Sequence, residues 1–163
     1  MQKTIIILPS IKLLGITART NNAHEATPAK AKISPTLERY FQDQIPQKIT
    51  HRKNPGVTYS VFTAYESDAT GDYTYFLGEA VTTFQDAPTD LEQLTIPEQT
   101  YAKFTTNSGP MPQVCIAAWQ EVWKMTPETL GGQRSYFADF EIYDDRALDP
   151  KNTVLDIYIG IKK

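Results

Sequence analysis

The sequence is poor in the residues that build covalent frameworks, metal centres and nucleophilic active sites. Its 163 residues include one cysteine, Cys115, and two histidines, His24 and His51. A single cysteine excludes an internal disulfide and a cysteine-rich zinc site, and we predict neither a metal nor a cofactor. Both histidines lie in polar segments away from any serine or cysteine motif, so no Ser-His-Asp or Cys-His arrangement can be defended. We therefore assign no catalytic residues.

The chain also has no excess of positive charge and no long hydrophobic run. The net charge is −3, so no basic field exists to attract a phosphate backbone, and direct nucleic-acid binding is not expected. The apolar run from Ile5 to Leu8 is too short for a signal peptide or a membrane span. The expected protein is soluble and cytoplasmic, and it does not associate with a membrane.

The chain is rich enough in apolar residues to form a core, and its structural elements follow one order twice. Hydrophobic residues make up 40% of the chain and aromatic residues 11%. Periodicity and turn residues predict strand, helix, strand, strand, and then the same again. The predicted strands are 4–8 with 11–18, 57–66, 73–84, 94–106, 136–143 and 154–161; the predicted helices begin at Ser34-Pro35 and at Val114.

This repeated order predicts an α+β fold made by tandem duplication. Module one covers about residues 1–87 and module two about 88–163, together forming a single domain. A three-stranded antiparallel sheet is too small to be stable alone. Pairing two modules about a pseudo-two-fold axis solves that problem and leaves a central cleft between the sheets, where ligands commonly bind.

Individual residues also match between the two modules. Gly78 falls opposite Gly160, which places Phe76 opposite Tyr158. Tyr65 falls opposite Tyr143, which places a threonine, Thr63, opposite Glu141. The duplication is therefore predicted to be asymmetric, with an acid in module two and no acid at the matching position of module one.

The segment YFADFEIY at residues 136–143 is predicted to form a strand with two unlike faces. One face carries Tyr136, Ala138, Phe140 and Ile142, and the other carries Phe137, Asp139, Glu141 and Tyr143. A carboxylate buried among aromatic rings must be protonated, hydrogen-bonded or paired with a cation. Glu141 is therefore a candidate anchor of a ligand pocket. The residues alone leave open the other interpretation, an exposed outer face of the sheet.

The other predicted ligand-binding residues are aromatic. Strand alternation places Tyr143 and Tyr158 beside Glu141, and the internal match adds Tyr65 and Phe76. Trp119 and Trp123 are four residues apart on one helix stripe, where they could either pack in the core or form a wall of the cleft. Cys115 shares that stripe and is interpreted as a small buried hydrophobe. The GGQR sequence at 131–134 is predicted as a turn.

Three segments together resemble a known family. The helix sequence WQEVWKM, the strand sequence FADFEIYDD and the C-terminal VLDIYIGIKK are similar to the gyrase-inhibitor-like (GyrI-like) effector-binding domain of AraC-type and MerR-type bacterial transcription regulators. That resemblance implies a hydrophobic pocket for bulky, often cationic compounds, with Glu141 as the buried counter-ion. The first residues already belong to a strand and leave no room for a preceding DNA-binding domain, so the chain resembles the stand-alone members.

Three functions are compatible with these observations. The leading hypothesis is a binding module for hydrophobic or amphipathic cations, acting in multidrug sensing or sequestration. The second is a hydrolase of reactive electrophiles, with Glu141 as general acid or base and Tyr143 or Tyr158 as hydrogen-bond donor. The third is a protein-binding inhibitor of the gyrase-inhibitor type. A protein partner or a homodimer is compatible with any of them.

Overall fold

The computed structural model describes residues 1–162 and contains an antiparallel sheet with helices on one of its faces. The strands are β1 (Gln2–Leu8), β2 (Ile11–Thr20), β3 (Thr58–Thr63), β4 (Tyr73–Ala80), β5 (Glu92–Ile96), β6 (Gln99–Thr105), β7 (Gln133–Arg134), β8 (Ala138–Tyr143) and β9 (Asp156–Lys162). The helices are α1 (Asn22–Glu25), α2 (Ile33–Gln42), α3 (Ile45–Lys48), α4 (Gln113–Trp123) and α5 (Pro127–Leu130), with a 3₁₀ turn at Asp145–Ala147. The predicted α+β class and the order of the elements are confirmed.

The order of strands across the sheet shows the duplication directly. It reads β1-β6-β9-β8-β3-β4-β2-β5, with β7 pairing on β9, so the two predicted sheets are joined through β3 and β8 into one. When Gly78 is matched with Gly160, Val61 becomes the counterpart of Phe140, and these two residues are also partners in the β3–β8 register. The pseudo-two-fold axis therefore passes through this pair.

The first strand of each module pairs with the other module. Strand β1 pairs with β6, and β5 pairs with β2. Only Pro9 and Ser10 join β1 to β2, although these strands lie near opposite edges of the sheet, and Pro97 and Glu98 join β5 to β6 in the same way. The sheet must curl to satisfy both short connections. Its inner face then encloses an apolar core to which both halves contribute.

The outer face of the sheet carries the helices. Helix α2 packs through Tyr40 and Leu37 over β2 and β4. Helix α4 packs through Ala118 and Val122 over β6 and β9. Because each helix covers its own module, the central strands β3 and β8 lie at the bottom of the space between them.

Left-handed backbone conformations shorten two strands relative to the prediction, one at its end and the other at its start. Ala64 has φ of 50° and Tyr136 has φ of 51°, so β3 ends at Thr63 and β8 begins at Ala138. The regular alternation of faces stops at these points. Tyr65 consequently emerges on the outer face, beside Tyr73.

Helix α2 begins at Ile33, not at the predicted Ser34 cap. Its N-cap residue, Lys32, makes no capping bond through its side chain. The carboxylate of Glu25 instead accepts from the backbone N–H groups of Lys32 at 2.8 Å and Ile33 at 3.1 Å. The polar segment predicted as loop thus contains α1, which delivers this distant cap.

Across residues 1–162, no helix is long and apolar enough to cross a membrane.

Candidate functional site

A cavity of about 670 Å³ opens between α2 and α4 on the outer face of the sheet. Strands β3, β4 and β8 form its floor. The residues that line it are mainly apolar and aromatic. The walls contain Leu37 and Phe41 from α2 and Cys115, Ile116, Trp119 and Trp123 from α4, and the floor contains Phe62, Tyr73 and Tyr75. The fold therefore provides a cleft at the predicted position, where the two modules meet.

Glu141 lies on the floor of this cavity at the junction of the modules. Antiparallel pairing places Leu77, Ser60, Glu141 and Ile157 in one row on the outer face. The Glu141 side chain is 5% exposed. Its Oε2 accepts from Trp119 Nε1 at 2.5 Å and from Cys115 Sγ at 3.1 Å, and its Oε1 accepts from the Tyr143 hydroxyl at 2.7 Å.

Each of these three donors is uncharged. Among residues 1–162, no lysine, arginine or histidine nitrogen lies within 4.0 Å of Glu141. The pKa values of the Tyr143 hydroxyl and the Cys115 thiol are raised, first by burial and then by the negative charge of Glu141. The protein thus holds and orients the Glu141 side chain through neutral donors.

Aromatic rings surround the space above Glu141. Phe62 contacts Trp119, Tyr73 and Tyr75 at centroid distances of 5.3, 5.6 and 5.5 Å. Trp119 lies 6.3 Å from Trp123, and Trp123 is 53% exposed at the rim. The ring faces and apolar edges suit a hydrophobic molecule, while the carboxylate supplies one polar contact.

A second polar group lies in the wall near Tyr65. Arg134 lines the cavity, and its Nη2 donates to Asp139 Oδ2 at 2.7 Å. The Tyr65 hydroxyl donates to the same oxygen at 2.6 Å. The backbone N–H of Gly160 donates to Asp139 Oδ1 at 2.8 Å, and Asp139 is fully buried. Unlike Glu141, this carboxylate has a cationic partner.

The structure brings five of the seven predicted ligand-binding residues to the cavity. Glu141, Tyr143, Tyr65, Trp119 and Trp123 line it. Their proposed contact with a ligand stays a prediction. Of the alternatives for the two tryptophans, the structure favours the cavity wall.

The placement of Phe76 and Tyr158 in the pocket is wrong. Strand pairing puts Phe76, Val61, Phe140 and Tyr158 in one row on the inner face, next to the row that contains Glu141. Tyr158 stacks on Phe140 at 4.6 Å. The prediction failed because β9 is buried on both faces: its isoleucines pack under α4 while Tyr158 packs in the inner core.

The internal match of Thr63 with Glu141 is displaced by one residue. With Gly78 equivalent to Gly160, the β3–β8 register makes Phe62 the counterpart of Glu141. The asymmetry itself holds, because an apolar ring occupies the matching position. Phe62 is a major wall residue that the sequence interpretation missed, although its alternation with Val61 could have indicated it.

For two other residues of the site, the structure differs from the prediction made from the sequence. Cys115 is not only a buried hydrophobe, because its thiol contacts both Glu141 and the Tyr143 hydroxyl. Arg134 lies in β7 and not in a simple turn. No pattern in the sequence pairs Arg134 with Asp139, whose contact depends on the β7–β9 and β8–β9 ladders. Among the described residues, no cluster of three or more potential ligands could hold a metal ion.

The same arrangement of elements occurs in known proteins. An integron cassette protein of Vibrio cholerae is 27% identical, with a TM-score of 0.78 over 98% of this chain and 95% of that one. YobU of Bacillus subtilis (strain 168), named as a candidate transcriptional regulator, is 28% identical over 93% of this chain and 92% of its own length. The structure of SAV2435 bound to tetraphenylphosphonium has 18% identity and a TM-score of 0.78, covering 99% of this chain and 94% of that one.

The family comparison covers almost the whole sequence. The model of the integron-associated effector binding protein matches residues 4–161. This span includes α2 and α4, which form the cavity walls, and all the strands that form the cavity floor. This match confirms the resemblance to GyrI-like effector-binding domains. The chain therefore belongs to the integron-associated effector-binding protein family.

Proposed function

We propose that the protein binds amphipathic cations in the cavity between α2 and α4, with Glu141 as their counter-charge. One observation carries this proposal: a 5% exposed carboxylate on the cavity floor is held by three neutral donors and has no cationic partner among the described residues. A cationic ligand completes the ion pair that the protein leaves open.

The size and lining of the cavity agree with such a ligand. Its volume of about 670 Å³ falls within the range of roughly 300–1,000 Å³ typical of small-molecule sites. A cation over an aromatic face gains about 0.5–2 kcal/mol, and Phe62, Trp119 and Tyr143 offer rings close to the carboxylate. Apolar groups of the ligand gain further free energy by leaving water.

The relatives support an effector-binding role. Tetraphenylphosphonium, the ligand of SAV2435, is a bulky aromatic cation of the class that this cavity suits. YobU is named as a candidate transcriptional regulator, and the family is described by effector binding. We infer that this chain senses or sequesters compounds of that class.

The decisive experiment titrates tetraphenylphosphonium into matched glutamate variants by isothermal calorimetry. Glu141→Gln keeps the shape of the side chain and one acceptor oxygen while removing its charge; the Tyr143 hydroxyl, which can also accept, is able to pair with the new NH2 group. We expect its affinity to fall by about tenfold or more, because each 1.4 kcal/mol of lost charge pairing is a factor of ten. Glu25→Gln is the control, because Glu25 also lines the cavity but its carboxylate is occupied by α2.

The pattern of results identifies the anchor. A loss of affinity in Glu141→Gln with a change of less than about twofold in Glu25→Gln, a factor worth only about 0.4 kcal/mol, supports the proposal. Equal affinity of the wild type and Glu141→Gln contradicts it. An equal loss in both variants shows that the cation responds to the overall potential of the cavity and has no specific partner.

The hydrolase alternative uses the same groups and stays a prediction. The Tyr143 hydroxyl already donates to Glu141 at 2.7 Å, which is the contact expected between a general base and a nearby donor. Incubating the protein with a panel of electrophiles tests it. Product formation that is lost in Glu141→Gln favours hydrolysis, whereas saturable binding without product favours the sensing role.

A further inference from the structure

The cavity contains a second fixed polar group whose capacity for hydrogen bonding is not used up. Among the described residues, Arg134 is the one cationic side chain in the cavity wall. It lies at the Tyr65 end, away from the uncharged donors that hold Glu141. A ligand that fills the cavity from Glu141 towards Tyr65 therefore meets an arginine.

The protein holds this arginine rigidly before any ligand arrives. Its Nη2 donates to Asp139 at 2.7 Å, and its guanidinium carbon lies 4.4 Å from the centroid of the Tyr136 ring. The Arg134 side chain is 13% exposed. A planar group fixed by an ion pair on one edge and a ring on one face presents its remaining N–H groups in a defined direction.

Several of those N–H groups have no acceptor. A guanidinium carries five N–H donors, and the contact to Asp139 occupies Nη2. Within residues 1–162, neither Nε nor Nη1 of Arg134 donates to a protein acceptor. The Nε atom is buried and closed off from the cavity, so Nη1 and the second N–H of Nη2 are the donors that a ligand can reach. An acceptor atom supplied by a ligand at this end pairs with one of them.

The charge on Arg134 is already balanced, which decides the type of acceptor. Asp139 is fully buried and takes the positive charge of Arg134 in a short ion pair. A ligand carboxylate placed here adds a second negative charge with no second cation, at a large desolvation cost. A neutral carbonyl oxygen accepts the hydrogen bond without that penalty.

We propose that Arg134 determines specificity for cations that also carry a neutral carbonyl acceptor, such as an ester or amide, remote from the positive charge. This inference rests on the proposed cation site at Glu141. Asp139 and Glu141 are two residues apart on one face of β8, a spacing of about 7 Å along a strand. The cation and the carbonyl of a matching ligand are therefore separated by about that distance or more.

Two triphenylphosphonium probes that differ in one group test this inference. One carries a methyl ester at the end of an alkyl chain, and the other carries a plain alkyl chain of equal length. The measured quantity is the ratio of their affinities. Comparing this ratio between protein variants removes the difference in hydration of the two free ligands.

The main variant is the pair Arg134→Met with Asp139→Asn, which removes the donor without leaving a buried carboxylate unpaired. We expect the ester-to-alkyl ratio to fall by about tenfold relative to the wild type, the size of a hydrogen bond to a charged group. Arg134→Lys, which keeps the charge beside Asp139 but loses the planar fork, is measured in parallel. An unchanged ratio in either variant overturns the inference.

Two controls separate this inference from the cation site. Arg146→Met removes an arginine that pairs with Asp144 and Asp156 outside the cavity wall, and we expect it to leave the ratio unchanged. Glu141→Gln weakens both probes by the same factor if the cation site is correct. Failure of that second control contradicts the proposed function, whereas an unchanged ratio with an intact Glu141 effect contradicts only the role of Arg134.

Discussion

The donors around Glu141 fix where the carboxylate points. Trp119 and Cys115 both donate to Oε2 from α4, while Tyr143 donates to Oε1 from the same strand as the glutamate. A carboxylate held on both oxygens loses little further freedom when a ligand binds. Such preorganisation lowers the entropic cost of binding.

Cys115 provides a chemical reporter of the charge on Glu141. Burial and the adjacent negative charge raise the pKa of its thiol, which keeps the reactive thiolate scarce near neutral pH. Because Glu141→Gln removes the second cause, we expect faster alkylation of Cys115 by iodoacetamide, by about tenfold for each unit by which the pKa falls. The rate is followed by mass spectrometry of the intact protein at pH 8.

Comparing the alkylation rates of the wild type and Glu141→Gln requires a control for how easily iodoacetamide reaches the Cys115 thiol. Alkylation of both proteins in urea gives the rate of the unprotected thiol, which must be the same for each. Glu25→Gln gives the effect of losing a charge elsewhere in the cavity. Equal native rates in the wild type and Glu141→Gln are inconsistent with an ionised Glu141 beside the thiol.

The acid and two of its three hydrogen-bond partners, Tyr143 and Trp119, could be predicted from the sequence, but the role of Cys115 and the face of some aromatic residues could not. An acid alternating with rings indicated Glu141 and Tyr143, and helical spacing indicated Trp119. Phe76 and Tyr158 obey the same alternation rule, yet they lie in the inner core. Alternation separates two faces without saying which one a helix covers, and that depends on the curl of the whole sheet.

At the scale of elements, the start of α2 depends on a residue eight positions earlier. The Glu25 carboxylate accepts from Thr20 Oγ1 at 2.6 Å and from the first N–H groups of α2. One side chain thereby ties β2, α1 and α2 together at the end of the cavity. A local capping rule could not predict this, since the cap comes from outside the helix.

Glu25→Ala is expected to lower the free energy of unfolding by about 1 kcal/mol, the usual cost of losing an N-cap. Urea denaturation followed by circular dichroism measures the change. Glu25→Gln retains an acceptor and is expected to lose less than half as much. If the two variants are equally stable, the carboxamide oxygen contributes nothing and the cap assignment is wrong.

At the scale of the whole molecule, neither module contains a complete sheet. Strand β1 pairs with β6 and β5 pairs with β2, across the boundary near residues 87 and 88. Each half alone exposes an unpaired strand and part of the inner core. The repeated order of elements predicted the duplication, but this exchange of strands could not be predicted because the broken strands at Pro9 and Pro97 resemble single interrupted ones.

Separate fragments 1–87 and 88–163 are therefore expected to lack cooperative unfolding, whereas an equimolar mixture regains it. Thermal melts of each fragment and of the mixture test this expectation, with the intact chain as reference. The physical reason is that marginal stability of a small domain does not survive the loss of a shared core. A fragment that melts cooperatively on its own contradicts this expectation, because that half is then stable without the shared core.

The two-fold relation between Phe62 and Glu141 has a consequence for how a single anionic anchor can arise. In a homodimer of identical modules, every substitution occurs twice, so an acid at this position brings two carboxylates to one cleft. Two like charges at close range repel and hinder each other's ionisation. Joining two copies in one polypeptide removes this constraint, since each copy can then change independently. Covalent fusion is thus what permits one half to keep a ring while the other carries a lone negative charge.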